Sequence, residues 1–301
     1  MTQPRLSVLM SVFDNGDYLE PAVRSILDQT YRDFELLIAD DGSADRSPEI
    51  VEAFAAQDNR VRFERAENAG LTVRLNRLLA DARGELIARM DGDDIAEPCR
   101  LRAQVDYLDA HRDCVAVGSN VTIIDPDGEP LRVTELPLDH DAIDHALITR
   151  AGQMLFHPAM VFRRDAIEKV GGYDERYRTA QDLDLFLKLA EVGRLANLAE
   201  PLVRYREHLK KVGHSRYEEQ ERLITEMLGE AYRRRGIEAP AGVLDTQRQA
   251  FDEADLRQTW AWWALRHGNL PTARKHARAA VRMRPWSPAS WKVLAFAVRG
   301  R

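Results

Sequence analysis

Apolar residues follow two rhythms along the first part of this chain. Leu6 to Phe13 is a nearly continuous apolar run, partly β-branched, as expected of a strand covered on both faces. From Tyr18 to Gln29 the period changes: Leu19, Val23, Ile26 and Leu27 recur at helical spacing, predicting a crossover helix laid on the sheet. Phe34 to Ala39 repeats the strand pattern and ends at Asp40-Asp-Gly-Ser43, after which Ser47-Pro-Glu49, with Pro in the first turn, opens a second helix. Val61 to Phe63, a helix from Leu71 to Ala82 and a strand from Leu86 to Met90 continue the series. Strand alternating with helix predicts a doubly wound, mainly parallel α/β sheet.

Further on, Pro98 opens a helix to about His111, and a mixed region comes next, with the turn Asp125-Pro-Asp-Gly128 between strand-like pieces. Gly171-Gly172 closes a short helix and Gln181 to Glu191 forms another. Past His214 the pattern is wholly helical: a charged stretch from Arg216 to Arg235, a break at Gly236 to Gly242, then a helix, turn and helix from Trp260 to Met283, ended by Pro285. The expected division is therefore 1–214 for the α/β part and 215–301 for a helical extension. No second copy of the helical pair is visible, so a repeat array is not expected.

A chain of 301 residues can bury a sizeable core. Its 43 basic and 49 acidic residues give a formal charge of −6, which offers no electrostatic case for nucleic acid. The charges are unevenly placed, however. No carboxylate side chain lies beyond Asp255, and all five Trp lie in the same basic tail. Cys99 and Cys114 are too few for a disulfide framework and lack metal-site spacing, so two buried free thiols in a reducing cytosol are expected. No apolar stretch approaches the roughly 20 residues needed to span a bilayer, and a cytoplasmic protein is the expectation.

Chemistry concentrates in Glu85-Leu-Ile-Ala-Arg-Met-Asp-Gly-Asp-Asp94, where an apolar strand runs into clustered carboxylates. Their repulsion is offset by a cation or by dense hydrogen bonding. Asp91 and Asp93 share a face on an extended strand end, and a turn at Gly92 aims both at one point. Such hard oxygen ligands suit Mg²⁺ or Mn²⁺, with a solvated acidic loop as the alternative. Asp41, after the second strand, reads either as an acceptor for a ligand or as a turn former before Gly42. Asp182 opens a helical segment, where capping alone would account for it. His208 comes after an apparent strand, Leu202 to Arg206; a neutral imidazole there can complete an oxygen-rich metal shell, although a lone His is more often core or surface.

Taken in order, Ser7-Val-Leu-Met-Ser-Val-Phe-Asp14, Ser25-Ile-Leu-Asp-Gln-Thr30, Asp40-Asp-Gly-Ser43, Asn68-Ala-Gly70, Asp91-Gly-Asp-Asp94, Gly171-Gly-Tyr-Asp174, Gln181-Asp182 and Tyr205-Arg-Glu-His208 resemble the family 2 glycosyltransferases of GT-A fold, from about Leu6 to His208. The resemblance implies that Asp41 faces the imide of uracil and that Ser11 and Phe13 line the base pocket. It further implies that Asp91, beside Gly92, contacts ribose, that Asp93 binds the metal, and that His208 contacts metal or diphosphate, while Arg74 either reaches the nucleotide or coats its helix. Asp182 inherits the role of catalytic base, and Gln181 and His157 fall at the acceptor pocket, with core packing as the alternative for His157. Gln181 stands where Glu is usual, Asp14 where Asn is, and Arg74 where a small residue often lies.

The activity that the resemblance implies is a metal-dependent, inverting transfer from a nucleotide-diphosphate sugar, foremost a UDP-sugar, to a hydroxyl of a glycan or lipid-linked acceptor, in cell-surface polysaccharide or glycoconjugate synthesis. Two other functions compete with it on the residues. A nucleotidyltransferase usually brings a basic, Gly-rich loop after the first strand, and here that loop is Asp14-Asn-Gly-Asp17. An inactive binding scaffold finds support only in Gln181 and Asp14. The tail loosely resembles one tetratricopeptide-like helix pair, which must dock on the catalytic part or on a partner. Contact of its basic, Trp-bearing end with an anionic membrane surface, at the inner face of the cell membrane, is the alternative to simple packing.

Overall fold

The computed structural model describes residues 3–209, 217–245 and 252–300. Four strands, β1 (Leu6–Val12), β2 (Phe34–Asp40), β3 (Val61–Arg65) and β4 (Leu86–Asp91), lie parallel in the order β3-β2-β1-β4. They alternate with the helices α1 (Leu19–Leu27), α2 (Ser47–Gln57) and α3 (Leu71–Asp81). Alternation along β1 explains the layers. Leu6, Val8, Met10 and Val12 pack with Leu19, Val23 and Ile26 of α1 on one face, while Leu9 packs with Leu75 and Leu78 of α3 on the other.

Beyond β4 the sheet becomes mixed. The chain passes through β5 (Ile95–Ala96), α4 (Arg100–Ala110), β6 (Cys114–Ile124), β7 (Pro130–Val133) and α5 (His140–Thr149). A 3-10 turn at His157–Ala159 then reverses it into β8 (Val161–Arg163), which lies antiparallel to both β4 and β6. After α6 (Arg164–Lys169) and α7 (Gln181–Ala190), the long β9 (Arg194–Arg206) runs parallel to β6 and carries β5 on its outer edge. The expected parallel series thus accounts for four of the nine strands among the described residues, and a mixed part completes the sheet.

The helical extension docks in two places. α8 (Tyr217–Arg235) buries Leu223, Met227, Leu228 and Ala231 in the core that holds Ile143 of α5 and Leu185 of α7. The trio α9 (Glu253–Arg266), α10 (Leu270–Met283) and α11 (Pro288–Arg299) buries Trp260, Ala273, Ala277 and Val293 against Val121, Leu131 and Val203 of β6, β7 and β9. Small Ala side chains let these helices approach the sheet closely. The expected boundary at residue 214 lies outside the described residues. Trp260 is fully buried, so packing accounts for it, whereas Trp286 is 93% exposed.

Cys114 is buried, and burial pushes its thiol up to about 11. Cys99 is exposed, correcting the expectation that both thiols are buried: it sits just before α4, outside the helix's apolar face. Among the described residues no helix is long and apolar enough to cross a membrane.

Candidate active site

The parallel strands deliver their carboxyl ends to one edge, where open α/β sheets gather ligands. Register pairs Ser11 of β1 with Ala39 of β2 on one side and with Asp91 of β4 on the other. Phe13, just past β1, is half exposed, so its ring face is open to a ligand. Asp14 comes next with φ 50°, a left-handed conformation that Asp tolerates, and its Oδ1 accepts from the Ala44 N–H at 2.9 Å.

Asp40 and Asp41 divide their work. Asp40 is fully buried and accepts from the Ser43 N–H at 3.1 Å, holding the turn. Asp41 reaches across to the loop before α3: its oxygens accept from the N–H groups of Ala69 and Gly70, each at 2.8 Å, and from Arg74 Nε at 2.6 Å. Arg74 therefore turns inward instead of coating its helix, and the pair is almost wholly buried.

Asp91, Asp93 and Asp94 converge, with one carboxylate oxygen from each lying within 4.8 Å of the others. Three hard oxygen donors at one point fit Mg²⁺ or Mn²⁺. Gly92 makes the convergence feasible, since a Cβ there would stand 3.2 Å from Asn15 Oδ1 and 3.3 Å from Leu19 Cδ1. His208 Nε2 meets Asp93 Oδ2 at 2.8 Å but lies outside the three-carboxylate group. Asp94, fully buried, accepts from the Arg206 backbone N–H at 2.8 Å.

Arg89 carries no role in the sequence motifs, although a lone Arg inside an apolar strand run is a signal that could have found it. It is 1% exposed and pairs with Asp91 and the Met90 carbonyl. Its charge also acts on His157 and Asp182. Arg206 lies within the Tyr205-Arg-Glu-His208 motif, which by itself assigns it no role. Its guanidinium lies 4.5 Å from the Tyr18 ring centre, and Nε donates to the Asp93 carbonyl at 2.8 Å.

Asp182 occupies the first turn of α7 and lines a cavity of about 260 Å³ together with Arg150, Gln153, Leu155, Phe186 and Gln220. Burial raises its carboxyl pKa, the Leu183 N–H lowers it in part, and Asp91 adds to the rise while Arg89 opposes it. A half-buried carboxylate with a raised pKa beside a cavity is well suited to accept a proton. Gln181 is buried at the start of the same helix and does not line the cavity. His157 does not line it either. It is 6% exposed, shares a 2.8 Å hydrogen bond with Tyr173 Oη, and is held neutral by burial and then by the Arg89 charge. Core packing accounts for His157: the short turn before β8 sets its ring edge-on to those of Tyr173 and Phe186.

The glycosyl transferase family 2 model matches residues 7–171. EpsE of Bacillus subtilis, called a putative glycosyltransferase, is 34% identical over 68% of this chain and 73% of its own length. WbnJ of Escherichia coli, an O-antigen biosynthesis glycosyltransferase, is 33% identical over 70% of this chain and 82% of its own length. Among solved structures, S. aureus TarS 1-349 in complex with UDP-GlcNAc aligns over 98% of this chain and 88% of its own with a TM-score of 0.62 at 16% identity. The Pyrobaculum calidifontis mannosyltransferase PcManGT, in complex with GDP-Man and Mn²⁺, aligns over 99% of this chain and 81% of its own with a TM-score of 0.58 at 22% identity. The expected motifs, the α/β architecture and these likenesses agree: the chain belongs to glycosyl transferase family 2.

Proposed function

We propose that the protein transfers a sugar from a nucleoside-diphosphate sugar, foremost a UDP-sugar, to a hydroxyl of a glycan or lipid-linked acceptor, with inversion at the anomeric carbon. The observation that carries this reading is the convergence of Asp91, Asp93 and Asp94 at the carboxyl edge of the sheet, with Asp182 beside a cavity and near enough to feel the Asp91 charge. Ser11, Phe13, Asp41 and Arg74 bind the nucleoside, with Asp91 and Gly92 at the ribose. Asp93, with Asp91, Asp94 and His208 around it, would hold Mn²⁺ or Mg²⁺. When bound, the cation supplies Lewis-acid neutralisation of the diphosphate leaving group.

Asp182 takes the proton of the acceptor hydroxyl as that oxygen forms its bond to C1, and the C1–O bond to the diphosphate breaks on the opposite face. A single displacement of this kind inverts the anomeric configuration. The cavity beside Asp182, with Arg150, Gln153 and Gln220 among apolar walls, is the place for the acceptor. The residues given catalytic and donor-binding roles lie within 1–214, and Gln220 of the extension lines the acceptor cavity. The names of the relatives support a role in cell-surface polysaccharide synthesis, WbnJ being an O-antigen enzyme. A cytoplasmic protein with its exposed Trp286 and Trp291, beside Arg282 and Lys292, against the inner membrane face fits this reading. Liposome flotation unchanged by replacing both Trp would remove the membrane part.

The first test is calorimetric titration of UDP, with GDP, CDP and dTDP as controls, with and without Mn²⁺, on wild type and Asp93→Ala. Metal-dependent binding selective for UDP and lost in the variant supports the reading. Tighter binding of another diphosphate moves the donor, and absence of all nucleotide binding overturns it.

A further inference from the structure

Four groups far apart in the chain form one series that joins the helical extension to the carboxylate loop. Asp125, at the end of β6, is fully buried and splits its two oxygens between different tasks. Oδ1 accepts from the N–H groups of Asp127 at 2.9 Å and Glu129 at 3.0 Å, closing the Asp125-Pro-Asp-Gly128 turn; Gly128 has φ 89°, which favours Gly. Oδ2 points the other way, to α10, where it accepts from His276 Nε2 at 2.8 Å and from Lys275 Nζ. Arg257 NH1 can only donate, and it lies 3.2 Å from His276 Nδ1, so Nδ1 accepts and the Nε2 proton goes to Asp125.

The turn held in this way presents its carbonyl oxygens to Arg206. Arg206 NH1 donates to the Pro126 carbonyl at 3.0 Å and to the Asp125 carbonyl at 3.3 Å. The same guanidinium donates through Nε to the Asp93 carbonyl at 2.8 Å, and the Arg206 main-chain N–H donates to Asp94 Oδ1 at 2.8 Å. Arg206 is 4% exposed, so these bonds are not shared with bulk water. Apolar residues would dock the helices at least as well as a buried His and carboxylate, whose desolvation is costly. The apolar contacts of Trp260, Ala273 and Ala277 already serve that purpose.

We propose that the C-terminal helices position the carboxylate loop through the series His276, Asp125, Arg206 and Asp93. His276, Asp125 and Arg206 are then positioning residues for the donor site, an assignment that rests on the function proposed above. The extension is part of the active-site scaffold and not only an appendage.

The test compares wild type, His276→Leu, His276→Gln and Asn269→Ala by amide hydrogen exchange and by titration of UDP with Mn²⁺. Asn269 is the control, since its Nδ2 bonds the Pro130 carbonyl across the same interface at 2.9 Å but is not in the series. Exchange at amides 91–97 and 206, measured without metal, should rise about ten-fold in His276→Leu and fall back in His276→Gln, which keeps a donor. It should stay at the wild-type rate in Asn269→Ala. Mn²⁺-dependent UDP affinity should fall about ten-fold in His276→Leu, the scale of losses around metal ligands. If His276→Leu does not fold, Lys275→Met takes its place with the same expectation.

Wild-type exchange at 91–97 in a folded His276→Leu protein overturns the proposal, and so does an equal rise in Asn269→Ala. Wild type that binds no UDP with Mn²⁺, while exchange changes as expected, removes the donor-site reading and leaves the coupling standing.

Discussion

Arg74 Nε donates to Asp41 Oδ1 at 2.6 Å, and the two side chains are 10% and 4% exposed. With the Ala69 and Gly70 amides this makes three donors on a carboxylate that has about four acceptor positions, so one remains for the base imide of the donor proposed above. Arg74→Ala leaves a buried carboxylate without its cation and should cost about 3–5 kcal/mol in denaturant unfolding. Asp41→Asn should lower UDP affinity and flatten the preference among nucleoside diphosphates. An unchanged unfolding midpoint in Arg74→Ala would show that the pair contributes nothing to the fold.

Asp182 predicts a pH profile. Its carboxyl pKa is raised, chiefly by burial, and only the ionised form can take a proton. Turnover should therefore fall, as pH drops, at a higher pH than an ordinary Asp with pKa near about 3.9 would give. Asp182→Asn should lower kcat about 10²–10⁴-fold while UDP binding stays as in wild type. In the folded state the ionised form is the costly one, so Asp182→Asn should be more stable than wild type above the raised pKa and lose that advantage below it. Full turnover in Asp182→Asn ends the base assignment.

Asp125 has the opposite sign. Burial would raise its pKa, but hydrogen bonds from His276 and Lys275 outweigh that and hold the carboxyl well below the usual range. Its contribution to stability should be complete above the unfolded value near about 3.9 and lost as pH falls towards the depressed folded value. Thermal unfolding of wild type and Asp125→Asn from pH 7 to pH 2 checks this: the gap between them should be widest at pH 7 and narrow in acid.

Two tryptophans of the tail should behave differently. Trp260→Ala empties a fully buried site against the sheet and should cost about 3–5 kcal/mol. Trp286→Ala, at a 93% exposed position, should stay within about 0.5 kcal/mol of wild type. Equal costs in chemical denaturation would contradict the packing described for α9.

The elements most fully legible in the sequence are those whose pattern repeats over several residues: β1, α1, β2, α3, β4 and α10. Short elements are not legible in this way. β5 has two residues and β8 has three, too few for a period to show, and β8 is the antiparallel strand between β4 and β6 that makes the sheet mixed. α9 begins at Glu253, before the expected Trp260, because a capping box made by Asp252 and Asp255 starts it.

By itself the sequence determined the alternation of strands and helices, the glycosyl transferase family and the Asp91-Gly-Asp-Asp94 cluster, because each is written in neighbours a few residues apart. Only the tertiary structure decided that Arg74 closes on Asp41, that Arg89 pairs with Asp91 and acts by its charge on Asp182, that His157 packs against Tyr173 and Phe186, and that His276 grips Asp125. These contacts join residues far apart in the chain, 151 positions in the case of His276 and Asp125. Burial and partner choice for such groups depend on which surfaces the packed sheet brings together, and no local period or spacing encodes that.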